Sequence, residues 1–188
     1  MAIVDAFAIL NDMVADRVVD LYAIAGAVAA ANYVEAAATE DIDVLIEFAA
    51  SPGRLVSLAP VLDWLRRRGY AEHRKEGVVI EGWPVQFLPV ADALDREALA
   101  EAASAEVARA GKPAVTVRVL RPEHIVAICL RVGRTKDHLR VVQFLEEGRV
   151  DLASFADVLR RHGLHQRWQA FCRQAGRDPS LPPAGAAP

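Results

Sequence analysis

The chain has 188 residues, which suits one domain, or one domain with a helical extension. Hydrophobic residues make up 53% of it, enough for a buried core, so disorder is excluded over most of the length. The net charge is −3, from 22 basic and 25 acidic side chains, and no long basic run occurs; a DNA or RNA groove relying on bulk positive charge is not indicated.

The two cysteines, Cys129 and Cys172, make neither a disulfide framework nor a metal knuckle, and they read as reduced thiols of a cytoplasmic protein. The N-terminal stretch carries Asp5 and no basic segment, so it does not read as a signal peptide. The longest apolar run, around 21–31, contains Gly26 and is shorter than the ~20 residues that span a bilayer, so no membrane partner is expected.

In chain order, Ile3, Phe7, Leu10 and Val14 predict a helix over 2–15. Residues 18–24 read as a short buried strand that stops at Gly26, followed by an Ala-rich helix over 27–33. The clearest strand is 41–48, DIDVLIEF. Ser51, Pro52 and Gly53 punctuate the chain, with Ser51 and Pro52 as N-cap and first helical residue of a helix over 54–68 that Gly69 ends. Strands over 73–81 and 84–89 flank Gly82 and Trp83 as a hairpin. A helix over 95–108 and a strand over 114–120 follow. Beyond Pro122 the pattern is helical, at 122–132, 135–147, 151–163 and 165–175, with Thr135 and Asp151 as caps. The Pro- and Ala-rich end reads as a disordered tail. The resulting expectation is a core over 1–120, a helical region over 121–176 and a tail over 177–188.

Asp41 and Asp43 carry the strongest chemical signal. On a strand, residues i and i+2 face the same side, roughly 6.6–6.8 Å apart, so two carboxylates at the head of an apolar strand repel each other. A divalent cation removes that repulsion, and Mg²⁺ suits hard oxygen ligands together with substrate phosphates. The plain alternative is a solvated strand end. Gly26 upstream lets the backbone approach a phosphate closely at the start of a helix, or simply lets the chain turn. The histidines are scattered, Cys129 sits in an apolar helix, and the three tryptophans fit core or interface positions.

The run LYAIAGAVAAANYVEAAATEDIDVLIEF resembles the first motif of minimal nucleotidyltransferases of the polymerase-beta-like fold, within them the AbiEii-type toxin group. Gly26, Tyr33, Glu35, Thr39, Asp41 and Asp43 carry the resemblance, and GWPVQFLP and the later Arg134, Lys136 and Asp137 extend it over about 18–144. It implies an α/β (α+β) fold, a mixed β-sheet flanked by helices and followed by a C-terminal helical bundle. It further implies a bacterial, cytoplasmic enzyme that moves a nucleotide from a nucleoside triphosphate to an RNA or protein acceptor, paired with an antitoxin protein. By the same resemblance Asp41 and Asp43 are catalytic and hold Mg²⁺ or Mn²⁺. Gly26, Ala27, Thr39, Lys136 and Arg134 would bind the nucleotide. The family's second glycine is Ala27 here, its arginine before the threonine is Ala37, and its third acidic metal ligand falls at Gln86. An amide brings no negative charge and cannot act as a base. Gln86 and Ala37 therefore support an alternative: a catalytically inactive nucleotide-binding or protein-interaction module on the same fold. Glu81, on the partner strand, is the candidate replacement for the missing acid.

Overall fold

A computed structural model of the chain describes residues 3–48, 57–109 and 111–180. The cap and helix start expected at Ser51, Pro52 and Arg54 lie outside the described residues, as do 181–188 of the expected tail. The chain forms two compact units, one of Met1–Ala29 and Ala37–Leu120, the other of Ala30–Ala36 and Arg121–Pro188.

The first unit is a seven-stranded mixed sheet with helices. Its elements are α1 (Ile3–Ala15), β1 (Leu21–Ile24), α2 (Gly26–Ala30, whose last residue opens the second unit), β2 (Ile42–Glu47), α3 (Ala59–Arg67), β3 (His73–Arg74), β4 (Gly77–Ile80), β5 (Trp83–Pro89), α4 (Ala93–Ala100), β6 (Ala103–Arg109) and β7 (Lys112–Val119). The strand order is β3-β4-β5-β2-β1-β7-β6. β2 runs antiparallel to β1 and parallel to β5, and β1 meets β7 in parallel.

Position in the sheet explains composition. Val44, Leu45 and Ile46 of the inner strand β2 are all buried, the unbroken apolar run of a strand covered on both faces. α1 packs against β1, β6 and β7, and α4 against β1 and β2. The edges are blunted: β3 is two exposed residues, and β6 carries Glu106 and Arg109. Trp64 of α3 donates its indole N–H to Asp16 at 2.9 Å, under the Arg68 guanidinium at 4.1 Å from the ring.

Three local expectations change. The helix expected over 95–108 is a helix only to Ala100, and Ala103–Arg109 is a strand paired along its length with β7. Its alanines and its Glu and Arg favour helix in isolation, but pairing with the β-branched strand β7 decides the outcome. The strand expected over 73–81 is broken into β3 and β4 by a turn at Lys75, whose φ is 55°. The tight turn of the next hairpin lies at Glu81 and Gly82, one residue earlier than expected, with Ile80 opposite Trp83.

The second unit consists of α5 (Pro122–Val132), α6 (Thr135–Glu146), α7 (Leu152–Arg161) and α8 (His165–Ala175). α5 packs against α6, α7 and α8. Phe144 and Phe155 are fully buried, and the Trp168 ring lies edge-on to Phe155 at 5.4 Å. The segment Ala30–Ala36 belongs here: the Glu35 N–H donates to the Glu147 carboxylate at 3.3 Å, and Gln143 donates to the Glu35 carbonyl at 2.9 Å. The Trp168 indole donates to the Pro179 carbonyl at 2.8 Å, so the first residues of the expected tail have a partner. Among the described residues no helix is long and apolar enough to cross a membrane.

The α6 cap differs from expectation. Arg134, not Thr135, is the N-cap; its backbone N–H and its Nε donate to the buried Asp137 carboxylate at 3.2 and 2.8 Å. Asp151 caps α7 as expected, accepting from the N–H groups of Ala153 and Ser154 and from the Ser154 hydroxyl. The Ser154 backbone and hydroxyl hold its carboxyl below the usual range. Asp151→Ala is expected to cost about 1 kcal/mol at pH 7. A lowered folded-state pKa makes this stability present above the ordinary carboxylate range and lost as pH falls through the lowered value. Urea unfolding at pH 7 and in the acid range checks both points: the gap between wild type and variant should close on acidification.

Candidate functional site

The two aspartates reach their places through β2. Asp43 is the second residue of that strand, and Asp41 stands one residue before it. β1 runs antiparallel alongside, with Ile24 opposite Val44, and the Ala25 N–H donates to the Asp43 carbonyl at 2.8 Å. This pairing sets Gly26, at the β1–α2 junction, directly against the Asp43 carboxylate. A Cβ on Gly26 would lie 2.0 Å from Asp43 Oδ2 and 2.8 Å from its Cγ. Gly26 also has φ +60°, a left-handed conformation suited to glycine. Backbone and carboxylate thus form a close cradle that only a bare Cα permits.

Asp41 is fixed locally. The Thr39 hydroxyl lies 3.1 Å from the Asp41 carbonyl oxygen and 3.2 Å from its Oδ1. Thr39 thereby orients the acid. α2 has five residues, little more than one turn, so what it offers an anion is a few backbone N–H groups rather than a long dipole. Ala27 is its second residue.

Gln86 is the neighbour of Asp43 across the parallel β2–β5 pair. Its Nε2 donates to Glu76 Oε2 at 2.7 Å. Glu81 has a different use: its carboxylate accepts from the Tyr70 hydroxyl at 2.5 Å. Burial first, and then Glu81, push that phenol up to about 12. The carboxylate next to Gln86 is therefore Glu76. No sequence signal marks Glu76, because the pattern over 73–81 predicts one unbroken strand where the chain turns at Lys75. With the hairpin turn at Glu81 and Gly82, Val78 stands opposite Val85, and Glu76 comes within reach of Gln86.

At this end of the sheet, Lys75 Nζ lies 2.6 Å from Glu40 Oε2. That hydrogen bond lowers the Glu40 carboxyl and raises the Lys75 ammonium, to which Asp41 adds a smaller attraction. Glu40, Arg74, Lys75, Gly82, Trp83 and Pro84 line an open cavity of about 440 Å³.

Arg134 and Lys136 belong to the second unit. Arg134 is engaged in the α6 cap, and Lys136 is exposed in the first turn of α6. Cys129 is buried, which pushes its thiol up to about 11, and it has no character of a nucleophile. Trp64 and Trp168 are buried, whereas Trp83 is half-buried.

The donor set of the first unit fits a hard divalent cation: two carboxylates at one strand head, a Gly26 cradle against one of them, and an amide beside it. No protein-family model matches the chain, and none of the curated proteins does. Among solved structures the chain is similar to an antigenic nucleotidyltransferase-like protein from Paracoccidioides brasiliensis. The two are 14% identical, with 91% of this chain and 87% of that one covered, at a TM-score of 0.56. At that identity the likeness is one of fold. The chain has a nucleotidyltransferase-like fold, a mixed α/β sheet with helices.

Proposed function

We propose that this chain transfers a nucleotide from a nucleoside triphosphate to an RNA or protein acceptor in a Mg²⁺-dependent reaction. Asp41 and Asp43 would hold Mg²⁺ or Mn²⁺, and the backbone at Gly26 and Ala27 would receive phosphate oxygens. When bound, the cation neutralises phosphate charge and orients the transferring group. The chain's own part is positioning: Thr39 fixes the Asp41 carboxylate, and Gly26 keeps the loop against Asp43. The resemblance adds Lys136 and Arg134 as triphosphate contacts, and that addition rests on the resemblance alone. It also supports an AbiEii-type toxin of a bacterial cytoplasm with an antitoxin partner.

The observation that carries the reading is the Gly26–Asp43 contact. A mere turn does not require a loop pressed onto a carboxylate. Incubation of the chain with labelled nucleoside triphosphates, Mg²⁺, total RNA and cell protein tests it. Labelled product is expected from wild type, and Asp43→Ala is expected to lose about 100-fold or more, the rate equivalent of several kcal/mol. Equal labelling by both sinks the proposal.

Gln86 favours a second reading, a non-catalytic nucleotide-binding or protein-interaction module. Its amide stands where the family places an acid, and it is engaged with Glu76. Calorimetry with ATP and Mg²⁺ separates the two: binding without turnover supports the module, and turnover eliminates it.

A further inference from the structure

Gln86 has two chemically opposite ends, and only one of them suits a cation. Its carbonyl oxygen is a hard donor atom, whereas its NH₂ group turns hydrogens outward. Gln86 stands opposite Asp43 in the parallel β2–β5 pair, so the two side chains rise from the same face of the sheet, on strands about 4.8 Å apart. The end of the amide that is turned towards β2 therefore decides whether Gln86 can serve the acid pair.

Glu76 makes that choice. A carboxylate only accepts, so the atom of Gln86 that stands 2.7 Å from Glu76 Oε2 is the donor, Nε2. The two ends of a carboxamide diverge from one carbon, and holding Nε2 turns Oε1 away from Glu76. Glu76 belongs to the turn between β3 and β4, and β5 lies between β4 and β2. The nitrogen is thus drawn to the β4 side, and the oxygen is left for the β2 side, where Asp43 stands. A hydrogen bond to a charged acceptor also polarises the amide and makes that oxygen a better ligand.

The turn that carries Glu76 is tied down on both sides of it. Lys75, at φ 55°, places its Nζ 2.6 Å from Glu40 Oε2, one residue before Asp41, and the Asp41 charge attracts it as well. On the other side Gly77 is buried, and a Cβ there would lie 2.9 Å from the Val85 backbone nitrogen and 3.0 Å from its carbonyl carbon and oxygen. Val85 is paired to both β2 and β4, so its backbone cannot yield as the tip of a side chain can. Only a bare Cα lets the turn lie on β5 at this point, next to Gln86.

We infer that Glu76 is a positioning residue for the acid pair: it orients and polarises the Gln86 carboxamide so that Oε1 joins Asp41 and Asp43 around the divalent cation; this rests on the reading of those two aspartates as the metal pair. The neutral Gln86 and the charged Glu76 then share what a third carboxylate would do alone, with the negative charge one hydrogen bond away from the cation.

Mn²⁺, a paramagnetic ion that takes the same oxygen ligands as Mg²⁺, tests this on the full chain. A titration followed by NMR reads both the Mn²⁺ affinity and the side-chain amide signal of Gln86, which is assigned by its absence in Gln86→Ala. Wild type is expected to bind Mn²⁺ and to lose that amide signal early in the titration. Glu76→Gln is expected to bind Mn²⁺ about tenfold more weakly, the usual cost of losing a group that orients a ligand. In the Gln86→Ala background the same Glu76→Gln change is expected to cost nothing further, because its route to the cation is gone. Thermal melts without Mn²⁺ check each variant, and Glu76→Gln, at an exposed site, is expected to melt with wild type. Wild-type Mn²⁺ affinity in Glu76→Gln, with binding lost in Asp43→Ala, overturns the role of Glu76 and leaves the metal pair standing. An equal loss from Glu76→Gln with and without Gln86 also overturns it, since Glu76 would then act by its charge alone. Failure of wild type to bind Mn²⁺ overturns both readings.

Discussion

Gly26→Ala is expected to destabilise the protein by about 2–3 kcal/mol and to abolish Mg²⁺-dependent nucleotide binding. Two costs add. An L residue held at φ +60° carries a penalty of about 1–2 kcal/mol. The new methyl would also stand 2.0 Å from Asp43 Oδ2, 2.8 Å from Cγ and 3.0 Å from Cβ, so something must move. Asp43 cannot shift as a whole, because its carbonyl accepts from Ala25 and its strand is paired on both sides. Its side chain must leave its rotamer, at about 0.5–1.5 kcal/mol, and the carboxylate leaves the cradle. Gly148 is the control: its φ is +62°, and a Cβ there meets nothing within 4 Å. Gly148→Ala therefore measures the backbone penalty alone. Urea midpoints at constant m-value give both numbers. Equal costs at the two glycines would refute the contact. A double-mutant cycle sharpens the test, since Asp43→Ala removes the atom that Gly26→Ala strikes, and the pair should cost less than the sum.

The same contact shows how far the sequence could be read. Gly26 and Asp43 were both recognisable, one from the end of an apolar run and the other from the head of β2, but their contact arises only when β1 and β2 pair in antiparallel register. Inner elements were legible because burial imposes its own pattern: the run through Ile42–Glu47 and the apolar stripe of Pro122–Val132 are set by the core. Edges were not legible. Ala103–Arg109 has no burial pattern strong enough to override its helix-forming alanines, and it is a strand because β7 lies beside it. Glu76 was lost for a similar reason. Its closeness to Gln86 depends on which two residues make the β4–β5 turn, and a one-residue error there moves every cross-strand neighbour. The α6 cap departs from expectation because Thr135 is a common N-cap type, whereas at Arg134 the Asp137 carboxylate accepts the backbone N–H and pairs with the guanidinium, an arrangement that propensity alone does not suggest.

Gln86→Glu is the substitution that separates a working enzyme from a module. The side chain at this position neighbours Asp43 on the next strand and meets Glu76 Oε2 at 2.7 Å. The change replaces a donor by an acceptor, so a hydrogen bond becomes a repulsion. Without divalent cation the variant is expected to be less stable than wild type by about 1 kcal/mol, a modest value because Glu76 is exposed. Like charges raise the pKa of the introduced carboxyl in the folded state. Its penalty is therefore present at neutral pH and fades as acid protonates it. A cation bound by Asp41 and Asp43 reverses the balance, since the third carboxylate then faces a positive charge. Mg²⁺ should raise the melting temperature of the variant more than that of wild type. If the chain is an enzyme limited by its missing acid, nucleotide transfer should rise by about 100-fold or more, the range of a positioned general base. A gain in Mg²⁺ stabilisation without a gain in transfer would mark a binding module whose acids still form a metal site. No differential Mg²⁺ effect at all would show that Asp41, Asp43 and the residue at position 86 do not act on a common ion.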